Sequence, residues 1–183
     1  PNTSTITNVS ISGTTVTLTV TTTADGVVTV TLPAGSFTDN AGNANATATT
    51  VTWTYDGSPP VMLSSTPADD ATDVDINTNL VFTFDESVKE GTGKTTIHNT
   101  ETGNAHEVID LPSDAVTVSG KTVTINPDAP LPYGTPIHIS IDQGTFTNLA
   151  DIDFSGISEP AVMNFTTGPS LVVKEPDEQV ATG

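Results

Sequence analysis

Between Ser4 and Tyr55 the chain alternates apolar and polar residues with a period of two. Val16, Leu18 and Val20 stand with Thr between them, then Val28, Val30 and Leu32, then Val51, Trp53 and Tyr55. Side chains of successive strand residues point to opposite faces, so this pattern predicts half-buried antiparallel sheet. Ser12-Gly13 and Asp25-Gly26 mark tight turns, and the polar run Thr38 to Asn45 a longer loop. Four strands are expected at about 3–11, 14–22, 27–32 and 47–55. The alternation stops at Asp56-Gly57-Ser58-Pro59-Pro60, where two prolines mark a stiff boundary. Beyond it, strands are expected at 61–66, 79–85, 94–99, 105–111, 115–118, 121–126, 136–142 and 161–166. Leu80, Phe82 and Phe84 alternate, as do Ile137, Ile139 and Ile141, and Ala161, Met163 and Phe165. Phe82, Phe84, Ile125, Ile139 and Phe165 are the expected core. Regularly spaced turn signals point to a sandwich with Greek-key connections, and no window holds a helical period.

Composition strengthens this reading. Thr supplies about a fifth of the 183 residues, and β-branched side chains favour pleated sheet. Twenty-two acidic residues face four Lys and no Arg, a net charge of -18. That balance argues against nucleic acid, whose phosphates need a basic patch, and against anionic lipid surfaces. A self-repelling chain of this kind invites divalent cations held by carboxylates and carbonyls, Ca2+ above all, although acidity also serves solubility alone. No Cys is present, so disulfides and thiolate metal sites are excluded. No stretch has the length of a membrane span. The start at Pro1, without initiator Met or signal peptide, suggests a piece of something longer.

The second unit resembles the bacterial Ig-like domains of surface-layer proteins and giant repeat adhesins. The resemblance rests on Ser65-Thr66-Pro67-Ala68-Asp69-Asp70-Ala71-Thr72-Asp73-Val74, on Asn77 to Val88, on Ala129-Pro130-Leu131-Pro132-Tyr133-Gly134-Thr135-Pro136, and on Phe165-Thr166-Thr167. The first unit resembles the later half of a related repeat, through Ala24 to Val30, Pro33 to Asn43 and Trp53-Thr54-Tyr55-Asp56. The chain is then expected to be all-β, with tandem immunoglobulin-like sandwiches of which the first is incomplete. Residues 1–57 would be the C-terminal half of one sandwich, 58–168 a complete one, and 169–183 a linker or a donor strand. The resemblance implies a bacterial, extracellular cell-surface location. It also implies partners that are neighbouring Ig-like domains of the same chain or of other copies. In place of the family's Asp-x-Ala-Gly-Asn loop the second unit reads Asn148 to Asp153, which leaves Asp151 and Asp153 as the equivalent ligands.

Candidate chemistry is confined to oxygen ligands. Asp39, Asn40 and Asn43 offer side-chain oxygens within one glycine-bearing loop, which suits a hard cation; a tight Asx turn needs much the same residues and no metal. Asp56 precedes the prolines, and Asp69, Asp70, Asp73 and Asp75 come after them, so a shared Ca2+ could stiffen the boundary; a solvated acidic loop is the alternative. His98, His106 and His138 lack a metal spacing and read as rim residues. No nucleophile motif is visible, and neighbouring Asp85 and Glu86 on a strand would point to opposite faces and could not flank one bond. The expected function is therefore a non-enzymatic stalk or extender module of an adhesin or surface-layer protein, stiffened by calcium. A filament subunit assembled by strand donation, with Leu171 to Lys174 as donor, is the alternative, and a carbohydrate-binding module a weaker one.

Overall fold

The computed structural model describes residues 4–170. The chain divides into two compact units between Ser58 and Pro59, and among the described residues all regular structure is strand. The expected linker or donor strand at 169–183 lies, from residue 171 on, outside the described residues.

The first unit consists of two hairpins, each a two-stranded antiparallel sheet. Strands β1 (Ser4–Ser12) and β2 (Thr15–Thr22) form one, β3 (Gly26–Leu32) and β4 (Thr49–Tyr55) the other. Gly13 sits at φ 59° in the first turn, a left-handed conformation that a side chain resists. The alternation Val16, Leu18, Val20 sets the register: Ile11 lies opposite Val16, Val9 opposite Leu18 and Ile6 opposite Val20. In the second hairpin Val28 lies opposite Trp53 and Val30 opposite Val51. Asp25, in the turn before β3, binds the end of the unit: its carboxylate accepts the Gly57 N–H at 2.7 Å and the Ser58 hydroxyl. Both hydrogen bonds, the Ser58 one foremost, hold its carboxyl below the usual range. Burial in this unit is slight, and Val28 alone among its described apolar residues is fully buried.

The second unit is a closed two-layer sandwich. Its strands are β5 (Met62–Thr66), β6 (Ala71–Val74), β7 (Leu80–Phe84), β8 (Val88–Glu90), β9 (Gly93–Asn99), β10 (Ala105–Leu111), β11 (Val116–Ser119), β12 (Thr122–Ile125), β13 (Pro136–Ile141), β14 (Phe146–Asn148) and β15 (Asn164–Thr167). One layer has the order β10-β9-β13-β15-β6 and the other β11-β12-β7-β5, with β14-β8 a small third pairing. Pro67 has no N–H to continue a ladder, and the chain leaves the β7 edge there. Asp70, at φ 61°, turns it into β6, which joins β15 in the opposite layer as a parallel strand. Asp69 clamps that crossover, its carboxylate accepting the Asn164 N–H at 2.9 Å and the Asn164 amide at 3.1 Å.

The inward positions of both layers make one core. Leu80, Phe82, Phe84, Ile97, Val123, Ile125, Ile137, Ile139, Phe146 and Phe165 are buried together, among them every core residue expected from the alternation. Three short strands, β6, β8 and β14, add to those expected, because three or four residues are too few to display a period. The last strand begins at Asn164 rather than at 161: Ala161 is exposed in a turn, and Met163 and Phe165 alone carry the alternation inward.

Candidate functional site

The chain enters the second unit beside Asp85, whose carboxylate accepts the Val61 N–H at 2.8 Å and whose carbonyl accepts from Lys121 Nζ at 2.5 Å. Strand β7 runs from Leu80 to Phe84, ending beside Asp85, while its other end is joined through a turn, Thr78 N–H to the Asp75 carbonyl at 3.1 Å, to the Asp73–Asp75 corner. Gly168 leaves β15 at that same corner, its N–H bonded to the Val74 carbonyl at 2.8 Å. Asp73 and Asp75 therefore stand at the pole where the chain leaves the sandwich. This corrects the expectation that they stand beside the incoming prolines: β5 and β6 run on in the same sense and carry the acidic corner the length of the domain away from Val61.

Of the other expected ligands, Asp56, Asp69 and Asp75 hold backbone N–H groups. Asp75 accepts the Asn77 N–H at 2.8 Å and the Asn77 amide at 3.2 Å. Asp70 and Asp73 adopt left-handed backbone conformations in the crossover and at its end. Asp56 is half-buried and accepts the Ser58 N–H at 3.4 Å. Asp151 pairs with Lys89 Nζ at 2.6 Å on the surface, an exposed ion pair worth about 0–1 kcal/mol. Asp153 bridges to Thr147. Among the described residues no three His, Asp or Glu side chains form a group able to hold a metal ion.

The loop containing Asp39, Asn40 and Asn43 is the most informative of these places. Asp39 Oδ1 accepts the N–H groups of Ala41 and Asn43, both at 2.9 Å, and Oδ2 the Asn43 amide at 3.0 Å. These bonds, led by the Asn43 amide, hold its carboxyl below the usual range. Asn40 is exposed. The second unit builds the same loop around Asn148, whose Oδ1 accepts Ala150 N–H at 3.0 Å and Ile152 N–H at 2.9 Å. Backbone bonds also match: Gly42 N–H to the Asp39 carbonyl corresponds to Asp151 N–H to the Asn148 carbonyl, and Asp39 N–H to Asn43 O corresponds to Asn148 N–H to Ile152 O. Gly42 at φ 88° and Asp151 at φ 66° fill the same left-handed position. At Oδ1 a neutral amide does in one unit what a carboxylate does in the other, so the two shared backbone bonds call for an acceptor and not for charge, while the bond from the Asn43 amide to Oδ2 has no counterpart at Ile152. Of the two readings of this motif, the Asx turn is the one the hydrogen bonds describe.

The sandwich with this strand order, β5 and β6 split between its layers, has its counterpart in sequence: the family model for the bacterial Ig-like domain matches residues 56–167. The chain belongs to the bacterial Ig-like domain family. No curated protein matches the sequence. Among solved structures the chain is similar to the crystal structure of CopC from Methylosinus trichosporium OB3b, at 11% identity and a TM-score of 0.41, over 63% of this chain and 99% of that one.

On this Ig-like scaffold a polar cluster lies outside the turns, on two central strands. His98 and His138 face each other across β9 and β13, their rings stacked with centroids 4.5 Å apart. His98 Nε2 is 2.9 Å from the Ser140 hydroxyl and His138 Nδ1 is 3.0 Å from the Thr100 hydroxyl. Burial, then the neighbouring His98, lowers the pKa of His138. A Ser–His contact suggests a nucleophile and base, but β9 and β13 are both central strands. Their N–H groups are engaged in the ladder and cannot form an oxyanion hole. His106, at the irregularity where β10 pairs with β9, has its Nε2 buried without a hydrogen-bond partner and does not join the pair. Sequence reasoning missed this stacking because His98 and His138 are far apart in the chain and meet only through strand pairing.

Proposed function

We propose that this chain is a structural extender from a bacterial cell-surface protein, in which Ig-like units follow one another and set the distance at which another domain is presented. The observation that carries the reading is the polarity of the second unit. The chain enters beside Asp85 and leaves beside Val74 and Gly168, at opposite ends of β7. A domain with its two connections at opposite poles adds its own length to any chain in which it is inserted. The closed core, and the parallel pairing of β6, early in the unit's sequence, with the last strand β15, suit load along that axis. The proposal does not depend on a cation; Asp39, Asp56, Asp69 and Asp75 hold backbone N–H groups in turns and crossings. An adhesin or surface-layer protein is the class of parent that such a module serves, and the reading assigns it no catalysis.

Single-molecule stretching of the chain between its ends tests this. The second unit should resist force and then unfold in one step, releasing about 3.5 Å per residue, on the order of 350 Å for residues 59–167. Gradual extension at negligible force, without a discrete step, would refute the proposal.

A further inference from the structure

The first unit repeats the last half of the second, in register. Ser12-Gly13 and Ser119-Gly120 make the same turn, with both glycines at φ 59°. Val16 opposite Ile11 corresponds to Val123 opposite Val118. In the next pair of strands, Val28 opposite Trp53 corresponds to Ile137 opposite Phe165. The intervening loops correspond bond for bond, down to Gly35 N–H on the Asn45 carbonyl at 2.9 Å and Gly144 N–H on the Phe154 carbonyl at 3.0 Å. Strands β1 to β4 are thus equivalent to β11, β12, β13 and β15.

That equivalence identifies what covers such strands. In the second unit the free edge of β12 is filled by β7, with Phe82 opposite Val123 and Leu80 opposite Ile125. The free edge of β13 is filled by β9, with Ile97 opposite Ile139. The residues concerned are then fully buried: Phe165 and Met163 are each 1% exposed, whereas their counterparts Trp53 and Val51 are 38% and 56% exposed. Between the two hairpins runs an apolar groove of about 250 Å³, lined among others by Val16, Leu18, Val20, Val30, Val51 and Trp53. Open strand edges in soluble proteins are guarded by charge. Residues 1–57 carry three of the 22 acidic residues, Asp25, Asp39 and Asp56, and no Lys, so the groove and its edges are unguarded.

We infer that the first unit is an acceptor half-sandwich for an Ig-like front half. Its occupant is a segment with the chemistry of β7 to β9, one strand adding to β2 with a Phe opposite Val16 and the other adding to β3, joined by a chain crossing between the layers. A single added strand such as Leu171 to Lys174 could fill one edge only and would leave the other layer open. This inference stands independently of the proposed extender role.

A synthetic peptide of residues 78–100, added to the full 183-residue chain, tests it, with emission from Trp53, the single Trp, as the readout. The expected result is a blue shift that saturates at one peptide per chain. Val16→Lys should weaken binding by roughly tenfold or more, because a charge replaces a buried apolar contact. Thr17→Lys, on the opposite face, should leave it unchanged. No shift, or a shift indifferent to Val16→Lys, overturns the inference. So does a shift that arises on concentrating the chain alone and disappears when residues 170–183 are removed, which would give the groove to a second copy.

Discussion

Replacing Phe84 by Ala probes the joint on which the second unit closes. Phe84 is fully buried at the end of β7 and lies edge-on to two rings, Phe146 at 6.0 Å and Phe154 at 5.2 Å between centroids. Emptying an aromatic core site costs about 3–5 kcal/mol, and two lost edge-to-face contacts place the value in the upper half of that range, since each is worth about 0.5–1.5 kcal/mol. A loss of about 4 kcal/mol is a large share of the roughly 5–15 kcal/mol that holds a domain folded. With a urea dependence of about 1.5 kcal/mol per molar, the midpoint should fall by about 2.7 M. Far-ultraviolet circular dichroism is the suitable signal, because Trp53 belongs to the first unit and does not report on this core. Phe84→Leu keeps most of the volume and should lose less than half as much, which guards against a variant too unstable to measure. A loss below about 1 kcal/mol for Phe84→Ala would show that the inward face of β7 has been misassigned.

Asn148→Ala should lower the stability of the second unit by about 2–3 kcal/mol in the same melts, since it strands the Ala150 and Ile152 N–H groups. Asp39→Asn should leave the first loop intact, with unchanged amide exchange at Ala41 and Asn43, because Asn148 already does that work uncharged. The melting temperature should be the same in millimolar calcium and in chelator; a site filled at a hundred times its Kd would add about 2.7 kcal/mol, on the order of 10 °C for such a domain. His138 has a pKa below the ordinary histidine value of 6.5, so the fold favours its neutral ring. Its contribution should be full above about pH 6.5 and be lost as pH falls through the lowered value; His138→Gln should flatten that part of the stability profile.

How much of this was legible in sequence depended on segment length and on where hydrogen bonds close. Five-residue alternations such as Leu80 to Phe84 announced both the strand and its buried face. Strands β6, β8 and β14 were hidden because each is held by a neighbour distant in sequence, as Ala71 is by Phe165. The acidic residues are ambiguous in sequence for a related reason. Composition shows how many carboxylates there are, but an Asp that accepts two backbone N–H groups and an Asp that awaits a cation read identically in a loop. A second copy of the loop, with Asn148 at its centre, shows that the turn also forms around a neutral acceptor.

Asp25, Asp39, Asp69, Asp75 and Asp85 together show one use that a turn-rich sandwich has for acid. Each accepts a backbone N–H that has no partner in a ladder: that of Gly57, Ala41, Asn164, Asn77 and Val61 respectively. Short strands multiply turns, and every turn leaves such donors to be satisfied. Asn could serve at each place, as Asn148 demonstrates, but Asp also accepts more strongly when ionised and adds net charge that keeps copies apart. The first unit has three of the 22 acidic residues, Asp25, Asp39 and Asp56, and each of them accepts a backbone N–H. Acid content and open apolar edges are thus inversely distributed between the two units, within a net charge of -18.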